Sequence, residues 1–309
     1  MSLDKPLRNW VRHDPAFLSD EINPGLAVSP WAGHRDFAYD WIAFMRPSRI
    51  VELGTHFGCS FFAFAQAARD LGLETELVAV DTWAGDEHTG PYGEQVFDLV
   101  SSTVAAGFSA LPIRLLRTTF MDARAEIEDR SVSMLHIDGF HTYEAVKEDC
   151  ETWLPKLAEN AVVFFHDVAP TSGYGSADYW AEIRKSYPHI EFLEHSFGLG
   201  VLFPKGDAWY RAFLAAGCAD WIEYYRFKAE ARLYARQNTA QAVMIEERDA
   251  LIKMLEAWVK DRDEAIATIE SMVVERDARI RKLEEKLPAM IGSVQLDNLR
   301  TRIFKRRFR

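Results

Sequence analysis

The sequence predicts a doubly wound α/β domain with a mostly parallel seven-stranded sheet, an antiparallel C-terminal hairpin and a long helix or coiled coil behind it. Three observations carry this. Before residue 205, short apolar runs alternate with helical patterns, as parallel strands joined by crossover helices require. Two late runs stand too close together for any crossover. Beyond Pro204 no proline occurs until Pro288, and the composition turns to Ala, Glu, Arg, Lys and Leu, which a continuous helix tolerates.

The strand runs are Arg49–Gly54, Glu76–Asp81, Ile113–Arg117, Met134–Asp138 and Ala161–Asp167, apolar almost throughout because helices cover both sheet faces. Helices are expected over Cys59–Leu71, Gly93–Gly107, Thr119–Glu128 and Thr142–Ala158. Ile190–Leu193 and Gly200–Phe203 have only Glu194–Leu199 between them and are expected to pair antiparallel at the sheet edge. The chain so divides into an N-terminal helical segment (1–44), the α/β domain (45–205), a helical connector (206–244), a stalk (245–287) and a basic tail (288–309).

The stalk is read from a repeat. Glu247-Arg-Asp-Ala, Asp261-Arg-Asp-Glu and Glu275-Arg-Asp-Ala are two heptads apart. Heptad position a is then Ile245, Ile252, Val259, Ile266, Val273, Ile280 and Leu287. Position d alternates Arg248, Arg262 and Arg276 with Leu255, Ile269 and Leu283. An unbroken apolar a row on a 3.5-residue period signals a coiled coil, and β-branched a residues with Leu at d favour two parallel strands over three. Self-association is the expectation. In the tail, Arg300–Arg309 holds six basic residues and no acid. Such a segment can adsorb to anionic lipid headgroups, which would add a peripheral membrane contact to a cytoplasmic protein.

Composition bounds the rest. Of 309 residues, 48% are hydrophobic and 27% charged, which excludes wholesale disorder. No run of eighteen apolar residues exists, and residues 1–20 lack a signal-peptide core, so a cytoplasmic location is expected. Cys59, Cys150 and Cys218 are too few and scattered for a disulfide framework or a zinc site. A net charge of −11 argues against a nucleic-acid partner.

Ligands of open α/β sheets bind beyond the carboxyl ends of the strands, and each predicted strand here ends in a polar cluster. The first ends in Glu52-Leu-Gly54-Thr55-His56-Phe57-Gly58-Cys59-Ser60, a glycine-containing turn that lets a ligand approach the backbone. It is neither Gly-x-Gly-x-x-Gly nor a Walker loop. The second ends in Asp81-Thr82-Trp83, with the acid placed to take ribose hydroxyls. Asp86, Glu87 and His88 follow in a loop flanked by Trp83 and Tyr92, suited to a lid or a stacking platform. The fourth and fifth strands end in Asp138 and Asp167, adjacent in this topology, and His141 follows one helical turn after Asp138. Trp10 and Trp31 are expected as packing anchors, and Tyr224, Tyr225 and Tyr234 as a cover on the globular domain.

Val51–Ser60 resembles motif I of class I S-adenosylmethionine-dependent methyltransferases, and Val78–Asp81 is similar to their second strand. His136-Ile-Asp-Gly-Phe-His-Thr-Tyr143, Trp153-Leu-Pro-Lys-Leu157 and Val162–Asp167 resemble the metal-dependent, macrocin-type sugar O-methyltransferase branch. The likeness covers about residues 45 to 205. It implies a Rossmann-like fold with S-adenosylmethionine held by Glu52, Gly54, Thr55, Gly58, Ser60, Asp81, Thr82 and Trp83. It also implies a divalent cation, Mg²⁺ in the family, on Asp138, His166 and Asp167, with His141 and Asp138 catalytic and a sugar or polysaccharide hydroxyl as acceptor. His166 stands where the family commonly has a second acid; an imidazole can ligate a metal, but Mg²⁺ prefers oxygen donors. The competing class is a degenerate methyltransferase fold carried on an oligomerising stalk, and a third reading keeps the reaction without the metal.

Overall fold

The computed structural model describes residues 9–86, 90–217 and 219–290. The expected calls on Glu87, His88, Cys218 and the basic run Arg300–Arg309 lie outside the described residues. One compact unit runs to Arg236 and a second takes the remainder.

The seven strands of the main sheet are β1 (Arg49–Leu53), β2 (Glu76–Asp81), β3 (Ile113–Arg117), β4 (Val132–Ile137), β5 (Leu157–His166), β6 (His189–Phe192) and β7 (Leu199–Leu202). They lie in the order β3-β2-β1-β4-β5-β7-β6. β7 alone runs against its neighbours, pairing antiparallel with β5 through Val163–Leu202 and with β6 through Ile190–Val201. The hairpin therefore sits at the edge, as the short connection requires. Alternation along each strand feeds two cores. Ile50 joins one cluster, and Val51 and Leu53 join the other, with full burial of such side chains stabilising by ~1.5–3 kcal/mol apiece.

The longer helices of the first unit are α1 (Arg35–Met45), α2 (Cys59–Asp70), α3 (Glu94–Thr103), α4 (Tyr143–Trp153), α5 (Gly175–Ile183) and α6 (Ala208–Ala215). α2 is buried along nearly its whole length, with Phe61, Phe62 and Phe64 inaccessible, because it lies between the sheet and α1. The helix expected over 119–128 shrinks to Phe120–Ala123 with a 3₁₀ turn behind it. α5, the connection from β5 towards the hairpin, is an element the sequence reading lacks.

α7 spans Ala219–Met290. Its first turns belong to the compact unit. Tyr225 is buried and donates its hydroxyl hydrogen to Asp40, while Trp10 Nε1 donates to the Tyr225 oxygen at 3.0 Å. Lys228 and Arg232 both pair with Asp36, at 3.0 and 2.6 Å. Tyr225 thus covers the domain as expected, whereas Tyr234 is exposed and does not. Within the second unit, the side chains of α7 that are described from Gln237 onward are predominantly exposed. No described helix is long and apolar enough to cross a membrane.

Candidate functional site

The strand order reverses direction between β1 and β4, the switch point where doubly wound sheets bind ligands. A cavity of about 730 Å³ opens there. Much of its wall is built from residues at or just after the ends of β1, β2, β3, β4 and β5, so five strand ends converge on one space.

The turn after β1 forms one wall. Gly54 has φ +90°, and a Cβ there would lie 2.0 Å from the carbonyl oxygen of Asp138; only glycine lets the turns after β1 and β4 touch. Gly54, Thr55, Ser60, Asp81 and Thr82 line the cavity. Glu52, Gly58 and Trp83 are not among the lining residues. Glu52 is fully buried behind the turn, where Oε1 accepts from Ser60 Oγ and lies 2.9 Å from His136 Nδ1. The Trp31 indole N–H donates to His136 Nε2 at 3.1 Å, so that nitrogen is an acceptor and His136 is the neutral Nδ1–H tautomer, donating to Glu52. Two buried oxygens at this turn, Thr55 Oγ1 and Glu52 Oε2, have no partner within the protein. Of the two, Thr55 lines the cavity, and its hydroxyl suits the polar end of a bound ligand.

Asp81 does more than the sequence suggests. Its Oδ2 accepts from the amides of Thr55 and His56 at 3.0 and 2.8 Å, and its Oδ1 from that of Trp83 at 2.7 Å. The carboxylate ties the β1 and β2 turns together, with lone pairs left for a ligand hydroxyl. Trp83 is buried against Phe97, its indole donating to the His56 carbonyl at 2.9 Å; here it is a packing residue.

The opposite wall holds the ionisable cluster. His141 Nε2 lies 3.0 Å from Asp167 Oδ2 and 3.7 Å from Asp138 Oδ1. His166 Nδ1 lies 3.1 Å from Asp138 Oδ1 and 3.2 Å from Asp167 Oδ2. Its Nε2 is 2.9 Å from the Ser196 carbonyl, which can only accept, so Nε2 carries hydrogen. Asp167 takes φ +58° to bring its carboxylate into this group. Burial alone would raise Asp138; the His166 charge and hydrogen bonds from His141 and His166 outweigh it and hold the carboxyl well below its usual range. Burial alone would lower His166, yet Asp138 and then Asp167 push it up to about 10. His141 is raised too: the same acids overcome burial.

Asp138, His141 and Asp167 each offer a ligand atom within 4.8 Å of one another. His166 adds Nδ1 beside the same two carboxylates, with its other ring nitrogen anchored on a backbone carbonyl in the manner of ligating histidines. Two carboxylates with two imidazoles fit a divalent cation that accepts nitrogen, such as Mn²⁺ or Zn²⁺, better than Mg²⁺.

Sequence reasoning missed one wall. Asn23, Gly25, Leu26, Ser29, Pro30 and Trp31 of the N-terminal segment line the cavity, in two consecutive 3₁₀ turns that start at Pro24 and Pro30. Trp10 is a packing anchor as expected, but Trp31 also faces the site. The Asn23-Pro and Ser29-Pro pairs, each with the side chain capping the turn that follows, are the signal that could have marked this segment as ordered.

Residues 51–168 match a family described as Methyltransferase domain. That stretch of the α/β unit is similar to a methyltransferase domain. Its seven-stranded, mostly parallel order with one reversed strand matches the Rossmann-like methyltransferase fold. The chain is 42% identical over 241 residues to uncharacterized protein y4gI of Sinorhizobium fredii; the match takes in 72% of this chain, which spans 26% of that protein's length. Among solved structures, the chain is similar to S-adenosylhomocysteine-bound methyltransferase PaMTH1 of Podospora anserina, at 14% identity and TM-score 0.48, over 62% of this chain and 89% of that one. It is also similar to the O-methyltransferase TomG of Streptomyces achromogenes in complex with SAM, involved in tomaymycin synthesis, at 17% identity and TM-score 0.45, over 63% and 92%.

Proposed function

We propose that the protein is an S-adenosylmethionine-dependent O-methyltransferase acting on a hydroxyl of a sugar or surface-polysaccharide intermediate. The observation that carries this reading is the convergence of His141, Asp138 and Asp167 on a cavity whose other wall is the Gly54–Ser60 turn with Asp81. Methyl transfer is an in-line displacement at a sulfonium, so the acceptor oxygen must be positioned and deprotonated. Asp81 takes the ribose hydroxyls, and the turn at Gly54, Thr55 and Ser60 receives the methionine end. His141 is the base, held against the acid pair by its Nε2, which lies 3.0 Å from Asp167 Oδ2 and donates its hydrogen there.

Asp138, Asp167 and His166 would hold the divalent cation. When bound, the ion would supply a Lewis acid for the acceptor hydroxyl and cancel the acid-pair charge that otherwise keeps His141 protonated. Asp138 and Asp167 orient His141, whose ring lies 4.8 Å from that of Tyr174. Phe140, Tyr174 and Phe197 give this end of the cavity aromatic walls, and no lysine or arginine is found among the described lining residues. Both features favour a neutral ring over a phosphorylated acceptor.

One observation favours a metal-independent form of the same reaction. His166, held as a cation between two carboxylates, already occupies the place of an ion. Isothermal titration with S-adenosylmethionine, followed by release of S-adenosylhomocysteine over a panel of neutral glycosides, tests the proposal. Binding in the micromolar range with acceptor-dependent release is expected. No binding below millimolar cofactor refutes it, and release that persists in EDTA selects the metal-independent form.

A further inference from the structure

From the second unit alone, we infer that residues 245–286 of α7 form a parallel two-stranded coiled coil with a second copy of this chain. The a row is a continuous apolar stripe left open to solvent. Ile245, Ile252, Val259, Ile266 and Val273 are 39% to 49% exposed, too much apolar surface in one line for a helix that stays single. At position d, Leu255, Ile269 and Leu283 are exposed as well.

Charge decides what covers the stripe. The six e positions are Asp249, Glu256, Asp263, Glu270, Asp277 and Glu284, acids without exception. The g positions Leu251, Trp258, Ala265, Met272, Arg279 and Lys286 carry no acid at all. Antiparallel helices set e against e, which would face six acids with six acids. Parallel helices set g against e of the partner, so no acid meets an acid and Arg279 meets the partner's Glu284. The seam is complementary to itself in one direction only.

The arginines at d complete the argument. Arg248, Arg262 and Arg276 each pair with the aspartate next to them, at 3.4, 2.9 and 2.9 Å. Side chains in this exposed setting are held by little. In a parallel pair, a d side chain packs into a hole bordered by e of the other helix, so each Arg gains the partner's Asp as a second acceptor. Two arginines and two aspartates then share each layer, neutral in sum. Their stems cover the apolar a residues while the guanidinium groups reach the rim. An acidic or apolar partner of another kind would not satisfy both the arginines at d and the acids at e.

Sedimentation equilibrium and light scattering on the full chain should give twice the 35.3 kDa chain mass at micromolar concentration. The double substitution Val259→Glu with Ile266→Glu should reduce it to one chain mass with far-UV circular dichroism of the α/β unit retained. Orientation is read separately. Leu255→Cys lies at d away from the midpoint of the repeat, so mild oxidation should cross-link it to itself only in a parallel pair. A monomeric or trimeric full chain overturns the inference, as does a dimer that survives the double substitution. A dimer in which Leu255→Cys fails to cross-link overturns the parallel orientation.

Discussion

The His166 cluster should make the cation-free protein lose stability as pH rises above neutrality. His166 is lifted to about 10 in the folded protein, against about 6.5 in an unfolded chain. A histidine raised on folding contributes stability that is fully present below about 6.5 and is lost as pH climbs through the folded value. Between pH 6.5 and 8.5 the unfolded chain gives up its proton while the folded one keeps it, which removes about 2 kcal/mol. His141, raised by the same acids, adds to the loss with the same sign.

The other titrating groups that face His166 do not cancel this. His34, whose ring is 5.8 Å away, is lowered chiefly by burial and then by its histidine neighbours, and His195 is lowered by burial to about 4. Both are neutral in the folded protein above pH 6.5, and the loss of the remaining half proton from each in the unfolded chain offsets only ~0.4 kcal/mol apiece. Their contribution is instead lost below that value, as is that of Asp138 at still lower pH. Stability should therefore peak near pH 6.5. In a melting series with EDTA, the fall to pH 8.5 should be ~4–8 °C for a unit of this size. His166→Gln should flatten that limb, and Mn²⁺ should stabilise more at pH 8.5 than at 6.5, since ligation needs Nδ1 without its proton. An unchanged melting temperature from pH 6.5 to 8.5 would remove the charged His166 from the account.

Asp81→Asn keeps an acceptor for part of the turn but loses the charge; S-adenosylmethionine affinity by calorimetry should fall about tenfold to a hundredfold, and an unchanged affinity would move the ribose elsewhere. His141→Ala should abolish transfer at constant cofactor affinity, and Asp138→Asn should do the same while lowering His166 towards neutrality; if both turn over normally, the catalytic assignment is wrong. Truncation after Arg236 should leave cofactor affinity within about twofold, since unit 1 is complete there. Truncation after Lys205 should weaken it at least tenfold, because Tyr225, Lys228, Arg232 and Arg236 brace the N-terminal segment that lines the cavity; equal affinity in the two would show that this brace carries nothing.

That contrast also marks where the sequence was legible. Strand ends could be read because a buried parallel strand must be apolar throughout and must stop where it turns polar. Glu52, Asp81, Asp138 and Asp167 stand out at those points, and the sheet order then brings the strand ends together without any long-range information. The roles of these acids were less legible than their places. The strand-end position of Asp81 implies a ligand acceptor, but three backbone amides use it first, a demand set by turn geometry that no side-chain pattern displays. The partners of the strand-end residues were not legible at all. His136 is one apolar-strand histidine among nine in the chain until Trp31, 105 residues earlier, donates to it. Arg236 looks like part of a solvated helix until it donates to the Ala27 carbonyl. Both contacts join segments with no shared periodicity, fixed by how the ends of the chain fold back over the sheet. The candidate site is thus drawn by local rules along its strand ends, and closed by tertiary contacts that local rules do not reach.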